Sequence, residues 1–358
     1  MQRSMLVLAA LAVVSACGDS SKASSKDSAG AAPAQTATTS GADLTGAGAT
    51  FPYPLYSKWF DAYATKSGVK INYQSIGSGG GIRQLSEQTV DFGASDAPMS
   101  DAEMAKAKGG PVLHIPTALG AVVLVYNLPD LGTPLKLTGD VIAAIFQGQL
   151  TKWNDPRIAA LNPGAKLPAT DILVVHRSDG SGTSYVFTDY LASVSPTWAA
   201  KPGKGKEVQW PVGLGAKGNE GVAGQVKQTP GAIGYVELAY ATQNKMNMAS
   251  VKNAAGEFVT PSIASVTAAA AGAAGKLPPT TDYRVSIVNA PGAGVYPISS
   301  FTWIIAYARQ ADAAKGKKLT DFLRWALNDG QGMESSLDYA PLPEGMRTAL
   351  LTRLDSIK

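Results

Sequence analysis

Four short turns built almost wholly from glycine, alanine and hydroxyl residues place the tightest limit on how this chain can fold: Gly46-Ala47-Gly48-Ala49-Thr50-Phe51-Pro52, Gly77-Ser78-Gly79-Gly80-Gly81-Ile82, Gly93-Ala94-Ser95-Asp96-Ala97-Pro98 and Asp179-Gly180-Ser181-Gly182-Thr183. Each falls where a strand or loop ends, and three of the four lead directly into a helix-like run. The flanking sequence has matching periods. Val69 to Tyr73, Val90 to Ala94, Gly120 to Tyr126, Ile172 to Val175 and Gly234 to Tyr240 read as strands. Tyr53 to Tyr63, Ile82 to Gln88, Thr183 to Ala192 and Asp321 to Leu327 read as helices. Strands alternating with helices through such turns mean an α/β protein. The alanine- and glycine-rich stretch 254–276 has no period that assigns it.

A helix N-terminus exposes unpaired backbone N–H groups carrying about half a positive charge, and glycine there lets an anion approach the backbone closely. The hydroxyls add donors, and Arg177, just ahead of the fourth turn, adds a planar fork suited to an oxyanion such as phosphate. Serine and threonine also head helices for structural reasons alone, so any one turn taken singly is explained as a cap. Three such turns with an arginine and an aspartate among them point instead to a shared ligand.

Other chemistries find no support. Gly180-Ser181-Gly182 lacks the spacing of a nucleophile elbow, and the glycine clusters complete neither a dinucleotide fingerprint nor a P-loop. His114 and His176 are the only histidines and Cys17 the only cysteine, so neither an intrachain disulfide nor a metal cluster is expected. The 31 basic and 27 acidic residues are interspersed along the chain, without the basic block that tracks nucleic acid. A chain of 358 residues, 45% hydrophobic, is long enough for two globular units.

The N-terminus is an export signal. Arg3 precedes an apolar run from Met5 to Val14, about half the length needed to span a bilayer. It ends in Val14-Ser15-Ala16-Cys17, a sequence similar to a bacterial lipobox, which makes Cys17 a candidate for lipidation. Residues 1–17 thus read as a lipoprotein signal peptide ending at a lipidated cysteine, and residues 18–42 as a flexible tether. About 25 residues of such composition reach roughly 25 to 30 Å.

The stretches LTGAGATFPYPLYSKW (44–59), NYQSIGSGGG (72–81), VDFGASDAPMS (90–100), HRSDGSGTSYVFTDYL (176–191) and PGAIGYVELAY (230–240) resemble the phosphate-binding protein of bacterial high-affinity phosphate ABC transporters. The likeness runs from about residue 44 to the C-terminus and takes in TKWNDPRIAALNP (151–163) and LDYAPLP (337–343). It implies a two-lobed periplasmic-binding-protein fold (type II), with one lobe from 43–117 plus 292–358, the other from 118–291, and a ligand cleft between them. It carries phosphate contacts onto Thr50, Phe51, Ser78, Asp96, Arg177, Ser181, Gly182 and Thr183, with Asp179 orienting Arg177. It further implies a non-enzymatic receptor with no cofactor, on the outer side of the cytoplasmic membrane, handing phosphate to a membrane permease with a cytoplasmic ATPase. A secreted phosphatase using the same anion pocket is the alternative.

Overall fold

The computed structural model describes residues 43–277 and 281–358. The expected signal peptide, the expected lipidation of Cys17 and the expected tether over 18–42 lie outside the described residues.

The chain opens with β1 (Leu44–Gly48), α1 (Tyr53–Ser67), β2 (Ile71–Ser75), α2 (Ser78–Ser86), β3 (Phe92–Ser95) and α3 (Asp101–Ala105), and then enters the long strand β4 (Val112–Tyr126). Next come β5 (Lys136–Leu137), α4 (Gly139–Phe146), α5 (Pro156–Leu161), β6 (Leu173–Arg177), α6 (Gly182–Val194) and α7 (Pro196–Ala200). They are followed by β7 (Leu214–Ala216), α8 (Gly218–Gln228), β8 (Ala232–Glu237), α9 (Leu238–Gln243), β9 (Asn247–Met248), β10 (Ser250–Lys252), β11 (Phe258–Val259) and α10 (Ile263–Gly272). β12 (Ser299–Tyr307), α11 (Ala313–Leu327) and α12 (Glu344–Arg353) return to the first half.

The main sheet runs β2-β1-β3-β12-β4-β8-β6-β7, with β9 also on β4, and β11-β10-β5 form a small second sheet. β1 is parallel to β2 and β3, and β6 is parallel to β7 and β8, whereas the central pairings of β4 and β12 are antiparallel. β4 changes partner along its length. Residues 112–121 pair with β12, and from Val122 to Tyr126 the strand pairs with β8. One continuous strand thus stitches two helix-covered half-sheets together.

Each half has its own aromatic core. α1 buries Leu55, Tyr56, Trp59, Phe60 and Tyr63, the spacing of one helical face. Phe60 and Tyr63 meet Phe322 and Trp325 of α11 at ring-centroid distances of 5.4 and 5.3 Å. In the other half, Phe187 of α6 lies 4.8 Å from Phe146 of α4 and stacks on Tyr235 of β8 at 4.3 Å.

The α/β reading from the sequence holds, with shifts at element ends. The strands expected at 69–73 and 90–94 lie at Ile71–Ser75 and Phe92–Ser95, and the helix expected from Ile82 begins at Ser78. The expected strand Gly234 to Tyr240 stops at Glu237, whose carboxylate accepts the Ala239 N–H at 2.8 Å and caps α9. Leu238, Ala239 and Tyr240 are buried in either conformation, so hydrophobicity alone could not place that boundary. The unassigned alanine-rich stretch contains α10, opened by a Ser262/Ser265 capping box.

Candidate anion-binding site

The turns converge at the carboxyl ends of the parallel strands β1, β2, β3, β6 and β7, where ligands gather in open α/β sheets. From one half come the β1–α1 turn with Thr50 and Phe51, Ser78 at the start of α2, and Asp96 just past β3. From the other come Arg177 at the end of β6 and Ser181, Gly182 and Thr183 at the start of α6. All these side chains are buried, Asp96 to 1% exposure and Arg177 to 3%.

The two sets touch directly. The Gly182 N–H donates to Ser78 Oγ at 3.0 Å, and the Gly79 N–H donates to the Gly180 carbonyl at 2.8 Å. A Cβ at position 182 would lie 2.4 Å from Ser78 Oγ and 2.5 Å from Asp96 Oδ2, so only a glycine lets the backbone come this close. Gly77, at φ 87°, turns the chain into α2.

Arg177 is clamped. Its Nε and Nη2 donate to the two oxygens of Asp179 at 2.8 and 2.5 Å, a bidentate pair, and Nη1 reaches Thr183 Oγ1 at 3.4 Å. Burial alone would raise the Asp179 carboxyl, but the hydrogen bonds and charge of Arg177 outweigh it and hold the group below its ordinary value. Of the five guanidinium donors, Asp179 takes two and Thr183 one, which leaves two for a ligand.

Asp96 is the one acceptor amid these donors. Thr302 Oγ1 of β12 donates to its Oδ1 at 2.8 Å, and Ser78 Oγ lies 3.4 Å from Oδ2. Burial pushes its pKa from 3.8 up to about 7, against the pull of Thr302, Arg177 and Ser78. The folded state therefore holds this proton more tightly than the unfolded chain. The stability contributed by protonated Asp96 is complete below 3.8 and is lost as pH rises through about 7. In denaturant titrations without phosphate, wild type is expected to lose about 2 to 3 kcal/mol more than Asp96→Asn between roughly pH 5 and roughly pH 8. Equal losses would mean that Asp96 does not titrate in this range.

Ser181 plays the cap as well: its Oγ accepts the Ser184 N–H at 3.0 Å, leaving its own hydroxyl hydrogen available. The Thr50 and Phe51 carbonyls are tied back by the hydroxyls of Tyr240 and Tyr339, both at 2.6 Å, and among the described residues the Phe51 N–H has no protein acceptor. Two further residues join the site that sequence reasoning did not pick out, Thr302 and Asn219. Asn219 follows Gly218, whose φ of 72° makes Lys217-Gly218-Asn219 another glycine turn at the head of a helix, a signal of the kind used for the other four.

The histidines are structural. The Met99 N–H donates to His114 Nε2 at 2.9 Å, and burial and then Arg284 bring this imidazole down to about 4. His176 stacks on Trp210 at 4.8 Å. Among the described residues no group of three His, Cys, Asp or Glu side chains is placed to hold a metal ion.

A family model described as a PBP superfamily domain matches residues 31–329. The phosphate-binding protein PstS of Xylella fastidiosa strain Temecula1 is 47% identical over 323 residues, covering 90% of this chain and 87% of that protein. The chain belongs to the PstS family of phosphate-binding proteins. The PstS of Pasteurella multocida is likewise 47% identical, over 308 residues, 86% of this chain and 88% of that protein. The PstS fold extends to more distant structures. The phosphate-binding protein from Stenotrophomonas maltophilia superposes with a TM-score of 0.67 at 21% identity over 87% of this chain and 93% of that one. A high-affinity periplasmic phosphate-binding protein bound with phosphate gives a TM-score of 0.68 at 22% identity, with the same coverage. The expected two-lobed periplasmic-binding-protein fold is therefore the fold of this chain.

Proposed function

We infer that this PstS-family protein binds inorganic phosphate outside the cytoplasmic membrane and delivers it to an ABC-type phosphate importer. The observation that carries the reading is a buried set of hydroxyl, backbone and guanidinium donors, contributed by both half-sheets, around a single carboxylate. We assign the phosphate contacts to Thr50, Phe51, Ser78, Asp96, Arg177, Ser181, Gly182 and Thr183, with Asp179 fixing the arginine.

Phosphate near neutral pH still carries a proton, whereas sulfate presents only acceptors. An ionised Asp96 accepts the phosphate O–H but faces sulfate with like charge and no donor between them. Sites built around a substrate donor reject an analogue lacking it by about 10⁴ to 10⁵. Binding rather than hydrolysis fits the side chains, since both histidines are engaged elsewhere and neither contacts the hydroxyls of Ser78, Ser181 or Thr183.

The partner change of β4 at Ala121/Val122 supports lobes of 43–117 plus 292–358 and of 118–291, the crossing strands serving as hinge. Calorimetry on protein lacking residues 1–42, with phosphate, sulfate and arsenate in parallel, tests the assignment. Tight phosphate binding with little or no sulfate binding is expected, and a flat phosphate titration would overturn the reading.

We also assign Cys17 as a lipid anchor, so that lipid and tether hold a binding body at the membrane. Cys17→Ser is then expected to shift the protein from the membrane to the soluble fraction while leaving phosphate affinity unchanged, because one acyl-anchored cysteine is the only membrane attachment proposed. An unchanged membrane fraction on blotting would remove the anchor from the account.

A further inference from the structure

We propose that Asn219 is a positioning residue that fixes the hydroxyls of Thr50 and Thr183 as donors toward phosphate, one from each side of the cleft. The inference rests on the phosphate-binding reading above. Asn219 is fully buried at the head of α8. Its orientation is determined by a backbone group that can only donate: the Glu237 N–H lies 2.9 Å from Oδ1, so the amide nitrogen must face the other way. There Nδ2 donates to Thr50 Oγ1 at 2.7 Å and to Thr183 Oγ1 at 3.1 Å, spending both of its hydrogens.

A hydroxyl has two acceptor positions and one hydrogen. Thr50 Oγ1 also accepts the Asn219 backbone N–H at 3.2 Å, and Thr183 Oγ1 also accepts from Arg177 Nη1 at 3.4 Å. Both oxygens thus take two donors each. Among the described residues neither threonine hydroxyl donates to a protein acceptor, so each retains one hydrogen for a ligand. A free hydroxyl turns to suit either a donor or an acceptor, whereas these two present hydrogens only. Asn219 thereby sets the polarity of two hydroxyls it does not itself share with the ligand, and keeps Asp96 the lone acceptor.

Two measurements test this, both reading the phosphate dissociation constant by calorimetry. In the first, Asn219→Ala is made in wild type and in a Thr50→Val/Thr183→Val background. Asn219→Ala is expected to weaken binding about tenfold in wild type, equivalent to about 1.4 kcal/mol, and to have little further effect once the hydroxyls are gone, since residues acting through one another are not additive. An equal loss in both backgrounds would mean that Asn219 acts by packing alone. The second uses Asn219→Asp, which keeps the shape and the acceptor for Glu237 but turns the donating edge into an acceptor. Its affinity relative to wild type is expected to be lowest near pH 8 and to recover as pH falls toward 5 and the new carboxyl gains a proton. A ratio flat across that range would overturn the proposal. Failure of wild type itself to bind phosphate would be a different result, sinking the parent reading.

Discussion

Replacing Arg177 with alanine is expected to weaken phosphate binding by about 3 to 5 kcal/mol, a loss of roughly two to nearly four orders of magnitude in Kd. Two effects combine. The variant removes charge-assisted bonds to a buried dianion, about twice as strong as neutral ones. It also leaves the Asp179 carboxylate, 14% exposed in its side chain, without its bidentate partner and next to an incoming anion. Ser78→Ala serves as the internal scale, at a cost of about 1 kcal/mol for one neutral hydrogen bond. Calorimetry on both variants, with melting curves to confirm folding, decides the matter. Comparable, negligible losses would place the ligand elsewhere.

Asp96→Asn is expected to change selectivity far more than affinity. The amide keeps the shape, so Thr302 can still donate to its oxygen, and the NH₂ group can donate to a phosphate oxygen in place of the lost acceptor. Phosphate affinity should therefore change modestly. Sulfate gains, because a repelling carboxylate becomes a group able to donate to it, and a like-charge contact in a buried site costs several kcal/mol. The ratio of sulfate to phosphate dissociation constants is expected to fall at least about tenfold, or about 1.4 kcal/mol. If it does not, Asp96 does not receive the phosphate proton, and discrimination arises from another part of the cleft.

The residues most legible in the sequence were those whose role is local. Glycine at 77 and 182 answers to backbone geometry within one turn, and Arg177, two residues before Asp179, carries its partner with it. The loops of the site could therefore be read as anion-binding turns before any contact was known. Thr302 could not. It lies in the strand sequence Ser-Ser-Phe-Thr-Trp-Ile-Ile, where a threonine is simply a good strand former, and it reaches Asp96, 206 positions away in sequence, only because β12 pairs with β3. Asn219 was missed for a different reason: its glycine turn resembles the others, but its value lies in joining two hydroxyls from different halves of the molecule, and no local pattern encodes that. The end of β8 was misplaced because the strand and the following helix are equally apolar there.

The position of β12 has a consequence for the order in which the molecule is assembled. This strand sits between β3 and β4, so β1, β2 and β3, among the earliest segments to emerge during synthesis, join the rest of the sheet only through residues 299–307. Contacts so distant in sequence close slowly. Until they form, β3 presents a bare strand edge, a template for misassembly. The later segments β6, β7 and β8 pair locally among themselves and with the end of β4, and need nothing from beyond residue 237 to do so. In refolding followed by pulsed hydrogen exchange, amides of β6 and β8 are expected to gain protection ahead of those of β1 and β3, and during synthesis the edge of β3 stays bare until roughly the last sixth of the chain arrives.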